Sequence, residues 1–424
     1  MKKILFLTFS YIPYNVTGTF RVMRFIKYLP KYGIRPFVVT ADQGKHHWNE
    51  KLFDEVPKEA KIYRFRSFFK DSQSRTQKKM KKNKKDTFFK NFFTTSIKMF
   101  KDLFFSPDIL IIWHIRHAFK IIKLIKKENI KLCYSSAYPF SSLIFIAFIK
   151  KILKVKIITD FRDPWKDNHA QLNQTLFRMI HNIWMEKFVI CQADLLVTTT
   201  KKLLDTFEMK YPCLRNGINI PNGFDEDEFE FLPQSKIATN KKIIIYAGKF
   251  DINNTAYNPE MIICAIKAMI EDNLIDFELH VYGHKSEATI ELIKKFNLRN
   301  YIKLKGFIWR NELIQKESHA DAFLHFYYPA KLYNTISLKI FEYSQFKVPI
   351  LSINTKMSEM SNFIKKSNLG FVCENDNIEE IKKSFEKLLS LDKKEFKKNI
   401  NYDYLQKFNV KKQAKILSDE IKKL

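Results

Sequence analysis

Short apolar runs alternate with stretches of helical periodicity from one end of this chain to the other, which restricts it to parallel sheets packed between helices. In the first half the runs fall at 3–9, 35–40, 61–65, 131–134, 155–159 and 195–198, with helical stretches such as 20–32, 141–153 and 174–192 between them. The pattern restarts at 242–247 and continues through 277–282, 302–305, 322–325, 348–352 and 369–372. A chain of 424 residues exceeds one typical core, so two doubly wound α/β domains are expected. The turn-forming Ile220-Pro221-Asn222-Gly223-Phe224-Asp225 and the polar, acidic run after it separate them. The expected division is a first Rossmann-like domain over 1–225, a linker over 226–241, a second Rossmann-like domain over 242–408 and a terminal helix over 409–424.

A hydrophobic content of 46% supplies both cores and excludes a disordered chain. The five cysteines are odd in number, scattered and without a CxxC pair, so neither a zinc site nor a disulfide framework is indicated and a reducing cytoplasm is expected. Met1-Lys2-Lys3 and the apolar residues behind it look superficially like a secretion signal. Tyr11-Ile12-Pro13-Tyr14 replaces a small-residue cleavage site, however, and the run reads as a first strand. The longest uncharged helical candidate ends at Lys150-Lys151, well short of the roughly 20 residues that span a bilayer.

The formal charge of +29 is consistent with nucleic acid, with an anionic membrane surface, or with a compositional bias toward lysine. No basic-aromatic RNA motif or helix-turn-helix spacing accompanies it, so nucleic acid is not an expected partner. The informative part is an insert at about 70–105. There Lys78, Lys79, Lys81, Lys82, Lys84 and Lys85 precede Phe88, Phe89, Phe92, Phe93, Ile97, Phe100, Leu103 and Phe104 at helical spacing. Residues 78–104 therefore read either as a cationic amphipathic helix for an anionic membrane interface or as a core-packed helix beside a solvated loop.

The segment Ser337-Leu338-Lys339-Ile340-Phe341-Glu342-Tyr343 carries the strongest functional signal. Ile340, Phe341, Tyr343 and Phe346 make an apolar surface, and an acid among them needs a partner. Val348-Pro349-Ile350-Leu351 then reads as a buried strand, so the helix N-terminus should face a ligand crevice, with Ser337 as cap and free amides that suit a phosphate. Glu342, one turn in, is placed either to meet a ribose hydroxyl or simply to face solvent.

This segment resembles the K-L-F-E-Y…K-P-I-L signature of nucleotide-sugar glycosyltransferases with the two-domain GT-B fold, retaining family 4. Pro221-Asn222-Gly223-Phe224-Asp225 is similar to a second hallmark of that family. Asp160-Phe161-Arg162-Asp163-Pro164-Trp165 resembles the D-x-R-D-x-W motif of a bacterial surface-polysaccharide branch, which is also matched at Ser106-Pro107-Asp108 with Trp113 and at Ser135-Ser136 with Pro139. The resemblance implies two domains facing a cleft, an acceptor domain first and a nucleotide-sugar domain second, with the terminal helix crossing back to the first.

It also implies roles. Glu342 would hold the ribose. Lys249, after Gly248, takes the place of a diphosphate-binding Arg, and Lys339 compensates for a second basic residue that has no match. The amides of Ser337 and Leu338 and the loop at Gly18 would reach the diphosphate, and Phe307 would line the base pocket. Asn334 stands where the family has a further acid toward the donor sugar. Arg162 replaces the family's His beside the reacting sugar and is expected to pair with Asp160 or Asp163, or to meet a phosphate or the donor sugar; Asp163 keeps the acid. Catalytic candidates are thus Arg162, Asp163 and Lys249. Read from the residues alone, Lys249 is equally a solvent-facing loop lysine, Gly18 a turn, and 160–165 an ion-paired turn capped by Trp165.

The resulting expectation is transfer of a sugar from a nucleoside diphosphate donor to a lipid-linked or other surface glycan. No cofactor or metal is expected, and the enzyme would be cytoplasmic and peripheral at the inner face of the membrane. A GT-B sugar-nucleotide epimerase and a basic nucleic-acid-binding protein are the alternatives.

Overall fold

The computed structural model describes the chain except Asn15 and residues 45–47, 68–105, 166–175, 231–240, 273–276, 329–335 and 375. The insert at 70–105 and Asn334 thus lie outside the described residues. The chain divides into two compact units, one formed by Met1–Pro221 with Gln413–Leu424, the other by Asn222–Lys412.

The first unit is a seven-stranded parallel sheet in the order β3-β2-β1-β4-β5-β6-β7. Its strands are β1 (Lys2–Leu7), β2 (Ile34–Asp42), β3 (Lys61–Arg66), β4 (Leu132–Ala137), β5 (Lys156–Phe161), β6 (Leu195–Thr198) and β7 (Gly217–Asn219). The last is too short and polar to register as an apolar run. Helices α1 (Thr17–Tyr28), α2 (Ile111–Lys127), α3 (Phe140–Leu153), α4 (Leu176–Gln192) and α5 (Lys201–Lys210) connect them. Strands buried on both faces explain the unbroken apolar runs: Ile4, Leu5, Phe6 and Leu7 of β1 are all fully buried. Strand order reverses at β1, where Leu5 lies opposite both Phe37 and Cys133.

In the second unit, six parallel strands run β10-β9-β8-β11-β12-β13. They are β8 (Lys242–Ala247), β9 (Phe277–Tyr282), β10 (Ile302–Gly306), β11 (Ala322–Phe326), β12 (Ile350–Ile353) and β13 (Gly370–Cys373). Around them lie α6 (Glu260–Glu271), α7 (Glu287–Lys295), α8 (Arg310–Glu317), α9 (Leu338–Tyr343), α10 (Glu359–Ser367), α11 (Ile378–Ser390), α12 (Lys393–Asn399) and α13 (Tyr402–Leu405), while α14 (Val410–Lys423) belongs to the first unit from Gln413 on. Reversal here is between β8 and β11. One apolar core covers each face, and Tyr343 of α9 stacks on Phe323 of β11 with centroids 4.0 Å apart.

Two local expectations need correction. The unit boundary falls after Pro221, because Phe224 bridges Asn409 and buries its ring in the second core, while 226–229 form a 3₁₀ turn rather than open linker. Cys191, near the end of α4, and Cys213, before β7, are joined in a disulfide with Cα atoms 5.1 Å apart. Spacing along the chain hides this pair, since two connections of the sheet bring them together. Cys133 and Cys373 are free and buried, and Cys264 is free and half-buried.

Candidate active site

Ligands of open α/β sheets bind outside the carboxyl ends of strands where strand order reverses. In the second unit the chain leaving β8 there is Gly248-Lys249-Phe250, and α9 follows β11. Gly248 donates to the Tyr282 carbonyl at 2.7 Å, Gly283 donates to Gly306 at 2.8 Å, and Phe250 donates to His284 at 2.8 Å. Three glycines therefore end three adjacent strands. A side chain at Gly283 (φ +129°) would strike the Gly248 carbonyl, whereas Gly306 (φ +79°) needs only the left-handed conformation.

The space above Gly248 is filled by the ammonium of Lys339, which a Cβ at position 248 would displace. Tyr246 supports the same turn, its hydroxyl donating to Lys249 O at 2.7 Å, and Lys339 Nζ lies 5.5 Å from the Tyr246 ring. Burial pulls the Lys339 amine down to about 8, with Lys249 opposing its charge and Glu342 and Glu317 favouring it. Lys249 itself is exposed, 6.0 Å from the Tyr257 ring.

Glu342 has the partner its setting demanded. Arg310, the first residue of α8, donates through Nη2 to Glu342 Oε1 at 2.7 Å and to Glu228 Oε2 at 2.8 Å. Burial opposes the Arg310 charge, but Glu228 and Glu342 overcome it and hold the guanidinium firmly protonated. Behind them lies Glu317, 1% exposed, with Oε2 buried and without a hydrogen-bond partner. Burial, then the Glu342 charge, push its carboxyl well above the usual range. His325 beneath the sheet end is held neutral, pushed down to about 3 by burial and by Lys339.

Ser337 occupies the cap position of α9 in extended conformation, yet its side chain makes no cap bond, contrary to expectation; Ile340 N donates instead to Ser337 O at 3.2 Å. Leu338 is partly buried against the core. Phe307 is 68% exposed and meets Trp309, also exposed, edge to face at 5.5 Å.

In the first unit Gly18 lies inside the first turn of α1, not in a loop, and a side chain there would sit 3.2 Å from Arg162 Nη1. Gly18 and Arg162 are thus brought together. Arg162 does not take Asp160 as its partner. Its Nε donates to Ala137 O and its Nη2 to Tyr138 O at 3.2 Å, the carbonyls leaving β4. Asp160 is fully buried and claimed by Arg21 (2.7 and 3.0 Å), Tyr134 (2.6 Å) and Ser136 (2.8 Å). Burial lowers the Arg162 pKa, with Asp163 and then Asp160 favouring its charge. Trp165 is fully buried and stacked on Phe140 at 4.5 Å. Asp108 accepts from Ser141 Oγ at 2.6 Å and Ser141 N at 3.0 Å, tying the start of α3 in place.

Sequence reasoning missed Arg310, Glu228 and Glu317. The one signal available was that Glu342 required a cation, which named no residue.

Residues 227–404 match the family described as Glycosyl transferases group 1. No curated protein sequence matches the chain. Among solved structures, sucrose-phosphate synthase from Thermosynechococcus elongatus superposes with a TM-score of 0.67 at 13% identity, over 100% of this chain and 99% of its own. HepE from Anabaena, solved in complex with UDP and glucose, superposes at 0.66 and 14% identity over the whole of both chains. WaaG, a glycosyltransferase involved in lipopolysaccharide biosynthesis, gives 0.62 at 16% identity over 99% of each. With the group 1 domain on its second unit and two Rossmann-like units of the GT-B kind, the chain is a glycosyltransferase.

Proposed function

We propose that this glycosyltransferase is a retaining, metal-independent enzyme of family 4 that moves a sugar from a nucleoside diphosphate donor to a lipid-linked surface glycan, as in capsule, O-antigen or exopolysaccharide synthesis. The single observation behind the donor assignment is the Lys339 ammonium over Gly248 at the β8/β11 switch point, a half-buried cation that a diphosphate would complement. Lys249 and the amides of Ser337 and Leu338 supply further positive ends. Glu342, oriented by Arg310, is offered to the ribose, Phe307 to the base, and Asn334 to the donor sugar. On the first unit, Arg162 beside Gly18, with Asp163, is assigned to the reacting sugar or its acceptor.

In the step itself, the bond from the sugar anomeric carbon to the phosphate oxygen breaks through an oxocarbenium-like state. The acceptor oxygen bonds to that carbon from the leaving-group face, its proton passes to a phosphate oxygen, and the nucleoside diphosphate departs. The protein's part is to stabilise the charge building on that diphosphate. Work at the inner face of the cell membrane, with docking through 78–104, completes the proposal.

A thermal-shift panel of nucleoside diphosphates and their sugars tests it, because a ligand of the native state raises the melting temperature. A response to one nucleotide family, abolished by Lys339→Ala and Glu342→Ala, is expected. Silence across the panel would overturn the donor assignment. Conversion of the donor sugar with no acceptor present would point instead to an epimerase, and salt-sensitive DNA binding without any nucleotide response to a nucleic-acid-binding protein.

A further inference from the structure

Helices α2, α3 and α4 follow β3, β4 and β5, and right-handed crossovers lay all three on one face of the first sheet. They adjoin in that order, α2 against α3 and α3 against α4. Their inner sides are core: Trp113, Ile121, Leu143, Ile146 and Val189 are buried. Their outer sides are also apolar. Ile115 and Phe119 on α2 are 66% and 76% exposed, Phe148 and Ile152 on α3 50% and 64%, Ile180 and Trp184 on α4 58% and 60%. Phe188 links the last two helices, packing on Phe148 at 5.2 Å and stacking on Trp184 at 5.9 Å.

The charges on this face are of one sign. Neither α2 nor α3 contains an aspartate or glutamate, and the one acid of α4, Glu186, is 1% exposed and bonded to Lys210 and Tyr211. Lys120, Lys123, Lys126, Lys151 and Lys187 are exposed among or beside the apolar residues, and Lys151 lies 5.1 Å over the Phe188 ring. Soluble surfaces rarely carry apolar side chains in such continuity. A protein partner would be expected to meet such lysines with discrete acids. A bilayer of anionic lipid meets them with a field, while its interfacial layer accepts Trp, Phe and Ile at the depth of the lysine stems.

We propose that the outer face of α2–α4 is a docking surface for an anionic lipid bilayer, lying flat on it without spanning. Among the described residues, no helix is long and apolar enough to cross a membrane. The face is separate from residues 78–104 and rests on no assumption about the sugar transferred.

The test is cosedimentation of the full chain with vesicles of phosphatidylcholine alone or mixed with phosphatidylglycerol, at low and high salt. The wild type is expected to pellet with the mixed vesicles at low salt. The triple variant I115E/F119E/W184E should bind at least about tenfold more weakly, and so should K120E/K123E/K126E. All six positions are exposed, so melting temperature and nucleotide response should stay at wild-type values, which separates loss of docking from loss of fold or of the donor site. Trp184 fluorescence, taken as the difference from Trp184→Phe, should be quenched by brominated lipid. Wild-type protein that stays in the supernatant overturns the proposal. So does binding that survives both triple variants and is lost only on replacing Lys78, Lys79, Lys81 and Lys82, or a self-association that the face variants abolish with no lipid bound.

Discussion

Each unit gathers charged side chains at the carboxyl edge of its sheet, but the two clusters are built to opposite ends. In the first, Asp160 is fully buried and receives hydrogen bonds from Arg21, Tyr134 and Ser136, while Arg21 also donates to Ile220 O at 2.8 Å and Pro221 O at 3.0 Å. Donors and acceptors cancel, and the group ties β4, β5, α1 and the chain after β7 into one piece. In the second, Arg310 serves two carboxylates, Glu317 keeps a buried oxygen without a partner, and the Lys339 amine sits below its ordinary range. A balanced cluster is a fastening. An unbalanced one holds free energy that a ligand can release.

The contrast can be broken most sharply at Asp160. Asp160→Ala strands Arg21 in the core and should cost about 3 to 5 kcal/mol in urea unfolding, whatever ligand is present. A loss below about 1 kcal/mol would mean that the fastening is no such thing. Arg310→Met should cost less, about 2 to 3 kcal/mol, because Glu228 and Glu342 retain some access to water. Unlike the Asp160 change, it should also weaken nucleoside diphosphate binding in calorimetry.

Lys339 separates the clusters by pH. Its folded pKa lies below the ordinary 10.5, so the unfolded chain binds the extra proton between about 8 and 10.5 and unliganded stability should rise across that window. Diphosphate affinity should move the other way, falling by up to about tenfold per pH unit above 8 as the free enzyme loses the ammonium. Lys339→Arg should flatten both trends. Smallest is Glu317→Gln. A carboxyl whose folded pKa is raised stabilises below its unfolded value of 4.5 and loses that contribution as pH climbs through the folded value. The variant should therefore melt like wild type at pH 4 and gain about 1 kcal/mol at alkaline pH. Equal melting at both extremes would place the Glu317 carboxyl in a better-compensated setting than its geometry indicates.

What the sequence disclosed follows from how local each signal is. Strands buried on both faces read directly as apolar runs, and the helix carrying Glu342 was legible because its burial pattern and the following strand sit within one short segment. Arg310 and Glu228 reach Glu342 from distant points of the chain, and nothing near either marks the convergence. The pairing of Arg162 with Asp160 failed for a related reason: the two are close in sequence, but Arg21 of α1 and Tyr134 and Ser136 of β4, all distant in sequence, already take up the Asp160 carboxylate. The Cys191–Cys213 bridge depended on the sheet order itself.

The three glycines at the ends of β8, β9 and β10 look interchangeable in a sequence, yet each sets a different rule for substitution. At Gly306 asparagine should be acceptable, since only the left-handed backbone is required and the space beyond is open. At Gly283 no L-residue fits, because the obstacle is the main chain of its neighbour. At Gly248 the obstacles are two side-chain ends, the movable Lys339 ammonium and the Tyr246 hydroxyl at 2.8 Å, so alanine would leave the main chain in place but evict the lysine and push the tyrosine off the turn it supports. A saturation library should therefore yield a tolerant column, an empty one, and one full of stable but inactive proteins.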